Sequence, residues 1–111
     1  MTKFLVLYNS PISAAEMMAN ATPEQTRAGM DAWMAWAKKN GDAVADLGMP
    51  LGSSVRVATG SVTPGSSQAS GYSILEAESL DAAAKRVEDH PHLQTPGGTI
   101  EVFEFLPMPG M

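Results

Sequence analysis

Apolar residues along the chain form four short runs separated by polar segments. Residues 3–8 (KFLVLY) are apolar at almost every position, which is typical of a central strand covered on both faces. Residues 54–59, 71–77 and 100–105 also have strand character, and in 54–59 apolar and polar residues alternate. These runs predict four strands. The polar stretch 60–70 between the second and third predicts a long, mobile loop.

Two helical patterns lie between the strands, and a shorter one covers residues 13–21. Thr22, Pro23 and Gln25 form the start signal of the first long helix, a capping box with proline at the first position, which predicts a helix over 23–40. Trp36 lies off its apolar stripe, so we expect it to contact a pocket wall or a partner. A second helix follows Ser79 and ends near residue 89. The positions of the first helix predicted to face the core are Met30, Trp33, Met34 and Ala37.

The order of these elements is β-α-β-β-α-β, the ferredoxin-like pattern of an α+β fold. Right-handed crossovers place two helices on one face of a four-stranded antiparallel sheet. The side chains predicted to face the helices are Val55, Val57, Tyr72, Ile74, Ile100 and Val102. Those predicted to face the other side are Arg56, Ser73, Leu75, Glu101 and Phe103.

The second sheet face is half apolar, and no predicted element remains to cover it. An apolar sheet face left in water promotes aggregation. We therefore expect a homodimer formed through the face that carries Leu75 and Phe103.

Composition narrows the classes of function. The chain has 111 residues, the size of one domain (1–111), and a formal net charge of −5, which argues against a nucleic-acid partner. It has no cysteine, no phosphate-binding glycine motif and no apolar stretch long enough for a membrane span. We expect a cytoplasmic protein that binds neither nucleic acid nor membrane and carries no cofactor.

Several segments resemble the YCII-related family, in particular its DGPF-type branch. The matching stretches are 3–8, 33–36 (WMAW), 48–52 (GMPLG), 71–83, 90–91 (HP) and 100–102 (IEV). The resemblance implies a dimeric α+β barrel in which two ferredoxin-like sheets face each other. It also implies lyase, isomerase or oxygenase chemistry on small metabolites.

Two features depart from this family. The Asp-Gly-Pro-Phe motif has no counterpart in residues 59–70. The YciI-like branch has a histidine three residues after an arginine in the first helix, whereas Arg27 is followed at that spacing by Met30. The histidine dyad suspected of catalysis in that branch is therefore absent.

Glu101 and His90 are the candidate catalytic residues. Glu101 falls within a strand on an apolar face, where a carboxylate must be paired, for example with Arg56, or neutral, or functional. An ion pair at the dimer seam and a role in a pocket are both open. His90 lies at a helix end, where capping backbone carbonyls is an equally good interpretation. His90 and His92 lack the spacing of a helical metal-ligand pair, so no metal site is expected.

Two functions of different class follow from these residues. The first is a small-molecule enzyme in which Glu101 and His90 act as acid and base. Its pocket is expected between the second sheet face and the loops at residues 9–10 and 90–91, with walls of Leu7, Trp36 and Phe103 and with Arg56 as a further ligand contact. The second is a non-catalytic ligand-binding or accessory dimer.

Overall fold

The computed structural model of the chain describes residues 1–110, and its centre is a four-stranded antiparallel sheet. The strands lie in the order β2-β5-β1-β6. Their bounds are Thr2–Asn9 for β1, Val44–Asp46 for β2, Ala69–Ala77 for β5 and Thr99–Glu104 for β6. This is the predicted ferredoxin-like arrangement, with β1 and β5 as the central strands.

Three α-helices connect the strands: α1 (Ala14–Asn20), α2 (Pro23–Asn40) and α3 (Leu80–Val87). The capping box of Thr22 and Gln25 forms as predicted, because each of these side chains accepts a hydrogen bond from the other residue's backbone N–H. Short 3₁₀ turns follow α2 (Gly41–Ala43) and α3 (Pro91–Gln94). No helix within residues 1–110 is long and apolar enough to cross a membrane.

The second strand of the sheet differs from the prediction. Strand β2 follows α2 almost directly and pairs with β5, whereas the predicted strand 54–59 lies outside the sheet. Residues 55–58 (β3, Val55–Ala58) pair instead with β4 (Ser61–Pro64) in a separate hairpin. The predicted loop 60–70 therefore contains a strand. The hydrophobic pattern did not reveal β2, because an edge strand can be very short and Val44–Asp46 has a single large apolar residue.

The side of the sheet that faces the helices, called here the helix face, is defined by β1. Phe4, Val6 and Tyr8 are fully buried there. The register of β5 places Leu75 opposite Phe4 and Ser73 opposite Val6, so both lie on the helix face. The predicted orientation of β5 was therefore wrong, because its alternation is shifted by one residue. Leu75 is buried under the helices and does not lie on the opposite face of the sheet. Strand β6 was assigned correctly, since Ile100 and Val102 pack against the core.

Helix α2 packs through its C-terminal half only. Trp36 is buried, 4% exposed, and its indole N–H donates a 2.9 Å hydrogen bond to the backbone oxygen of Arg86. Met30 and Met34, predicted as core, are 63% and 55% exposed. The core-facing side of α2 is formed instead by Trp33, Trp36 and Ala37, which leaves both methionines outside the core. Trp36 is therefore a core residue and lines neither a pocket nor an exposed surface.

Candidate functional site

The face of the sheet turned away from the helices, called here the open face, carries a row of three residues across three strands. Leu7 of β1 lies opposite Tyr72 of β5 on one side and opposite Glu101 of β6 on the other. Neighbouring strands are about 4.8 Å apart, so the backbones of Tyr72 and Glu101 are separated by about 10 Å. A phenol and a carboxylate thus flank an aliphatic side chain on one surface.

A second, fully apolar row lies beside the first. Leu5 lies opposite Ile74 on β5 and opposite Phe103 on β6. Leu5 and Ile74 are partly buried, whereas Phe103 is 45% exposed. The two rows together form an apolar floor with polar groups along one margin, which is the usual composition of a small-molecule site.

Glu101 is held by Asn9, whose segment was predicted to border the pocket but whose side chain was given no role. The side-chain amide of Asn9 donates a 2.9 Å hydrogen bond to Oε1 of Glu101. The backbone oxygen of Asn9 accepts a 2.8 Å hydrogen bond from Nε2 of His92. Asn9 therefore connects the open face with the structure under the helices, and its amide fixes one carboxylate oxygen while the other stays available.

Arg56 does not approach the sheet face as predicted. It lies on the exposed hairpin, opposite Thr63 in the register of β3 and β4. The predicted pairing of Arg56 with Glu101 within one chain is therefore wrong, because the hairpin is not part of the sheet.

His90 is buried on the helix face. It is 1% exposed, and its ring packs against Tyr8, Trp33 and Trp36 with centroid distances of 4.4–4.7 Å. Its Nδ1 accepts a 2.9 Å hydrogen bond from the backbone N–H of His92, so the proton of the neutral ring is on Nε2. Nε2 is buried without a hydrogen-bond partner among the described residues. His90 therefore caps a 3₁₀ turn and has no path to the open face.

The pKa of His90 is lowered to about 4, mainly by burial and to a smaller extent by the neighbouring His92, while Asp89 opposes the shift. The ring is neutral at physiological pH. Since Glu101 lies on the other face, the structure does not bring the two candidate catalytic residues together.

Tyr8 also belongs to the interior and not to the site. Its hydroxyl and that of Ser73 are 2.8 Å apart, and Ser73 in turn donates a 2.6 Å hydrogen bond to the backbone oxygen of Leu47. Burial raises the pKa of Tyr8 to about 12. This phenol is a fixed structural group that fastens β1 to β5 and to the segment after β2.

No cluster of three or more histidine and carboxylate side chains that could hold a metal ion occurs within residues 1–110. An open cleft of about 540 Å³ runs along α2 and contains none of the predicted site residues. Its lining residues are Ala21, Pro23, Thr26, Arg27, Met30, Asp31 and Met34.

Comparison with known proteins identifies the fold. No protein-family model and no curated protein matches the chain. The chain is similar in structure to 5-chloro-2-hydroxyhydroquinone dehydrochlorinase (TftG) from Burkholderia phenoliruptrix, solved in complex with 2,5-dihydroxybenzoquinone. The similarity has a TM-score of 0.53 and 18% sequence identity, and covers 96% of this chain and 94% of TftG. The chain has the α+β fold of this enzyme, while membership of the YCII-related family stays a prediction.

Proposed function

We propose that two copies of this chain face each other through their open faces and enclose a site for a small, flat ring molecule with polar groups at opposite ends. The observation that carries the proposal is the row Tyr72, Leu7 and Glu101. A phenol and a carboxylate on either side of an apolar residue suit a ligand that is apolar in its centre and hydrogen-bonded at both ends.

A second copy supplies the missing wall. The open face is covered by no element of residues 1–110, and Phe103 on it is 45% exposed. Two sheets packed directly on each other lie about 10 Å apart and fill that gap with their own side chains, so a ring ligand requires the two open faces to stand further apart. TftG binds a molecule of this shape on a similar fold, since its complex contains 2,5-dihydroxybenzoquinone.

Glu101 is the proposed base. Asn9 holds one carboxylate oxygen at 2.9 Å, and the second oxygen accepts a proton from an acidic C–H or O–H of the ligand. The electron pair left on the ligand then either takes up the proton at another atom, giving an isomerisation, or expels a leaving group, giving an elimination. Tyr72 donates a hydrogen bond to the oxygen on which negative charge develops.

Non-catalytic binding of the same ligand class is the second candidate. The position of His90 favours it, because the predicted acid–base partner of Glu101 is buried behind the sheet. Turnover separates the two candidates, while the site and the dimer are common to both.

Binding of 2,5-dihydroxybenzoquinone and of hydroquinone, measured by calorimetry, tests the site. We expect Glu101→Gln and Tyr72→Phe each to weaken binding about tenfold. Glu104→Gln is the matched control, since Glu104 is an exposed carboxylate of the same strand with the opposite facing. The proposal fails if neither probe binds, if Glu101→Gln binds as well as the wild type, or if sedimentation shows a monomer at micromolar concentration.

A further inference from the structure

The hairpin of β3 and β4 presents an uncovered apolar face. The register pairs Val57 with Val62 and Val55 with Pro64, which places these four side chains on one side of the hairpin. The three valines are 67–72% exposed. Every residue of both strands is exposed, so the hairpin packs on neither the sheet nor the helices of its own chain.

A hairpin of this kind is expected to pack against another surface. A two-stranded hairpin in water is at best marginally stable, and exposed β-branched side chains invite association. The radius of gyration is 15.5 Å, compared with about 13 Å for a compact chain of this length. The molecule thus has a projecting part, and its shape is not that of a self-contained globule.

The distribution of charge indicates which surface the hairpin packs against. Arg56 is the only charged residue between Asp46 and Glu76, in a chain with a formal net charge of −5. By the strand register the open face carries three carboxylates, Asp46, Glu76 and Glu101, and one amine, Lys3. The hairpin therefore has a net positive charge and no carboxylate, so it can approach the acidic open face of another copy without like-charge repulsion.

The area that a stable interface requires also favours a second copy of the chain as the partner. The strands of the sheet contain 8, 3, 9 and 6 residues. At about 3.3 Å per residue and about 4.8 Å between strands, the open face measures about 400 Å². A stable interface buries about 800 Å² on each partner. The accessible area of a surface of side chains exceeds its flat area, so the sheet face lies at the lower end of this size, and a hairpin placed on the partner adds to it.

We propose that the hairpin of each copy is an arm that lies, with its valine face inward, on the second copy at the rim of that copy's open face. The exchange is reciprocal, as a two-fold axis requires. The inference rests on the homodimer proposed above and adds that each ligand site is closed by a segment of the other subunit. With the valine face inward, Arg56 and Thr63 lie on the outward side of the arm.

Dimer dissociation constants, from sedimentation equilibrium, test the arm. Val57→Gln changes its apolar face and Thr63→Gln its opposite face, so the two variants are matched in size and position. We expect Val57→Gln to weaken the dimer at least tenfold and Thr63→Gln to change it less than threefold. Phe103→Gln serves as the test of the facing sheets themselves.

The outcomes separate the two proposals. If Phe103→Gln dissociates the dimer and Val57→Gln does not, the arm is wrong and the facing sheets stand. If Val57→Gln weakens the dimer and Phe103→Gln does not, the facing sheets are wrong and so is the landing position of the arm. A wild-type monomer overturns both.

A second measurement does not depend on a destabilising change. Because the chain has no cysteine, a nitroxide can be attached to Thr63→Cys alone. This protein is mixed with unmodified ¹⁵N-labelled protein, so that any paramagnetic broadening of the labelled amides arises between subunits. We expect broadening at open-face residues such as Ile74 and Phe103. Broadening confined to α2 and α3, or none at all, overturns the inference.

Discussion

His90 and Glu101 lie on opposite faces of the sheet, with strand β1 between them. The ring of His90 lies 4.7 Å from that of Tyr8 on the helix face, while Glu101 lies beside Leu7 on the open face. Leu7 and Tyr8 are adjacent in β1, and their side chains therefore point to the open face and the helix face respectively. His90 is therefore part of the packed interior, whereas the proposed site involves Glu101 alone of the two.

Stability should depend on pH through His90. In the unfolded chain its imidazole takes up a proton near its usual pKa of 6.5, whereas burial holds the pKa in the folded chain at about 4. Between these values the unfolded state binds more protons, so the free energy of unfolding falls as the pH drops from about 6.5 to 4. The loss is about 3 kcal/mol for this group, and its stabilisation is fully present above pH 6.5.

The variant His90→Asn tests this. Asparagine retains a side-chain acceptor for the backbone N–H of His92 but does not titrate. Urea unfolding at several pH values should show lower stability at pH 7.5, from lost packing, and a clearly smaller further loss down to pH 4.5. Asp89→Asn, which removes the exposed pair with Lys39, should leave the histidine-dependent slope in place. An unchanged slope in His90→Asn would contradict the assignment.

Trp36→Ala should lower the free energy of unfolding by about 3–5 kcal/mol, because it empties a buried site and leaves the backbone oxygen of Arg86 without its donor. Met34→Ala, two positions earlier on the same helix and 55% exposed, should cost less than about 1 kcal/mol. Chemical denaturation of both variants measures the difference. Similar losses in the two would mean that α2 packs through a different face.

Gly48→Ala should be strongly destabilising. Gly48 has a φ of 78°, and a Cβ there would lie 1.6 Å from the backbone oxygen of Tyr72. The chain must move away from β5, at a cost of about 3 kcal/mol or more. Gly29→Ala is the control. A Cβ at this position would have no atom within 4 Å, and alanine should stabilise α2 by about 1 kcal/mol. Thermal unfolding of both variants should give shifts of opposite sign.

Local signals predicted much of the fold. The capping box at Thr22 and the apolar runs of β1, β5 and β6 are signals formed by residues close together in the sequence. These elements form at the positions that the sequence predicts. The short edge strand at Val44 has no such signal, since its pairing with β5 is a tertiary contact. The stronger alternating pattern at Val55 forms a strand in a hairpin whose proposed surface belongs to another copy.

The candidate site was predicted only in part. Leu7, Glu101 and Phe103 lie on the open face as expected, but Tyr72 was assigned to the core. The error has a physical reason: the helix-face positions of β5 beside Tyr8 are small, because the ring of Tyr8 lies next to Gly71 and its hydroxyl is hydrogen-bonded to that of Ser73. Their bulkier neighbours Tyr72 and Ile74 therefore point to the open face, the reverse of what side-chain hydrophobicity favours.

Asn9 should act on the ligand only through Glu101. Removing its amide in Asn9→Ala frees the carboxylate to rotate, while the backbone oxygen that binds His92 stays in place. Binding of 2,5-dihydroxybenzoquinone to Asn9→Ala should weaken about three- to tenfold, the range of one modest hydrogen bond. A double-mutant cycle with Glu101→Gln gives the decisive comparison, because residues that act as one unit are not additive. The double variant should bind no more weakly than Glu101→Gln alone, whereas additive losses would show that Asn9 contacts the ligand itself.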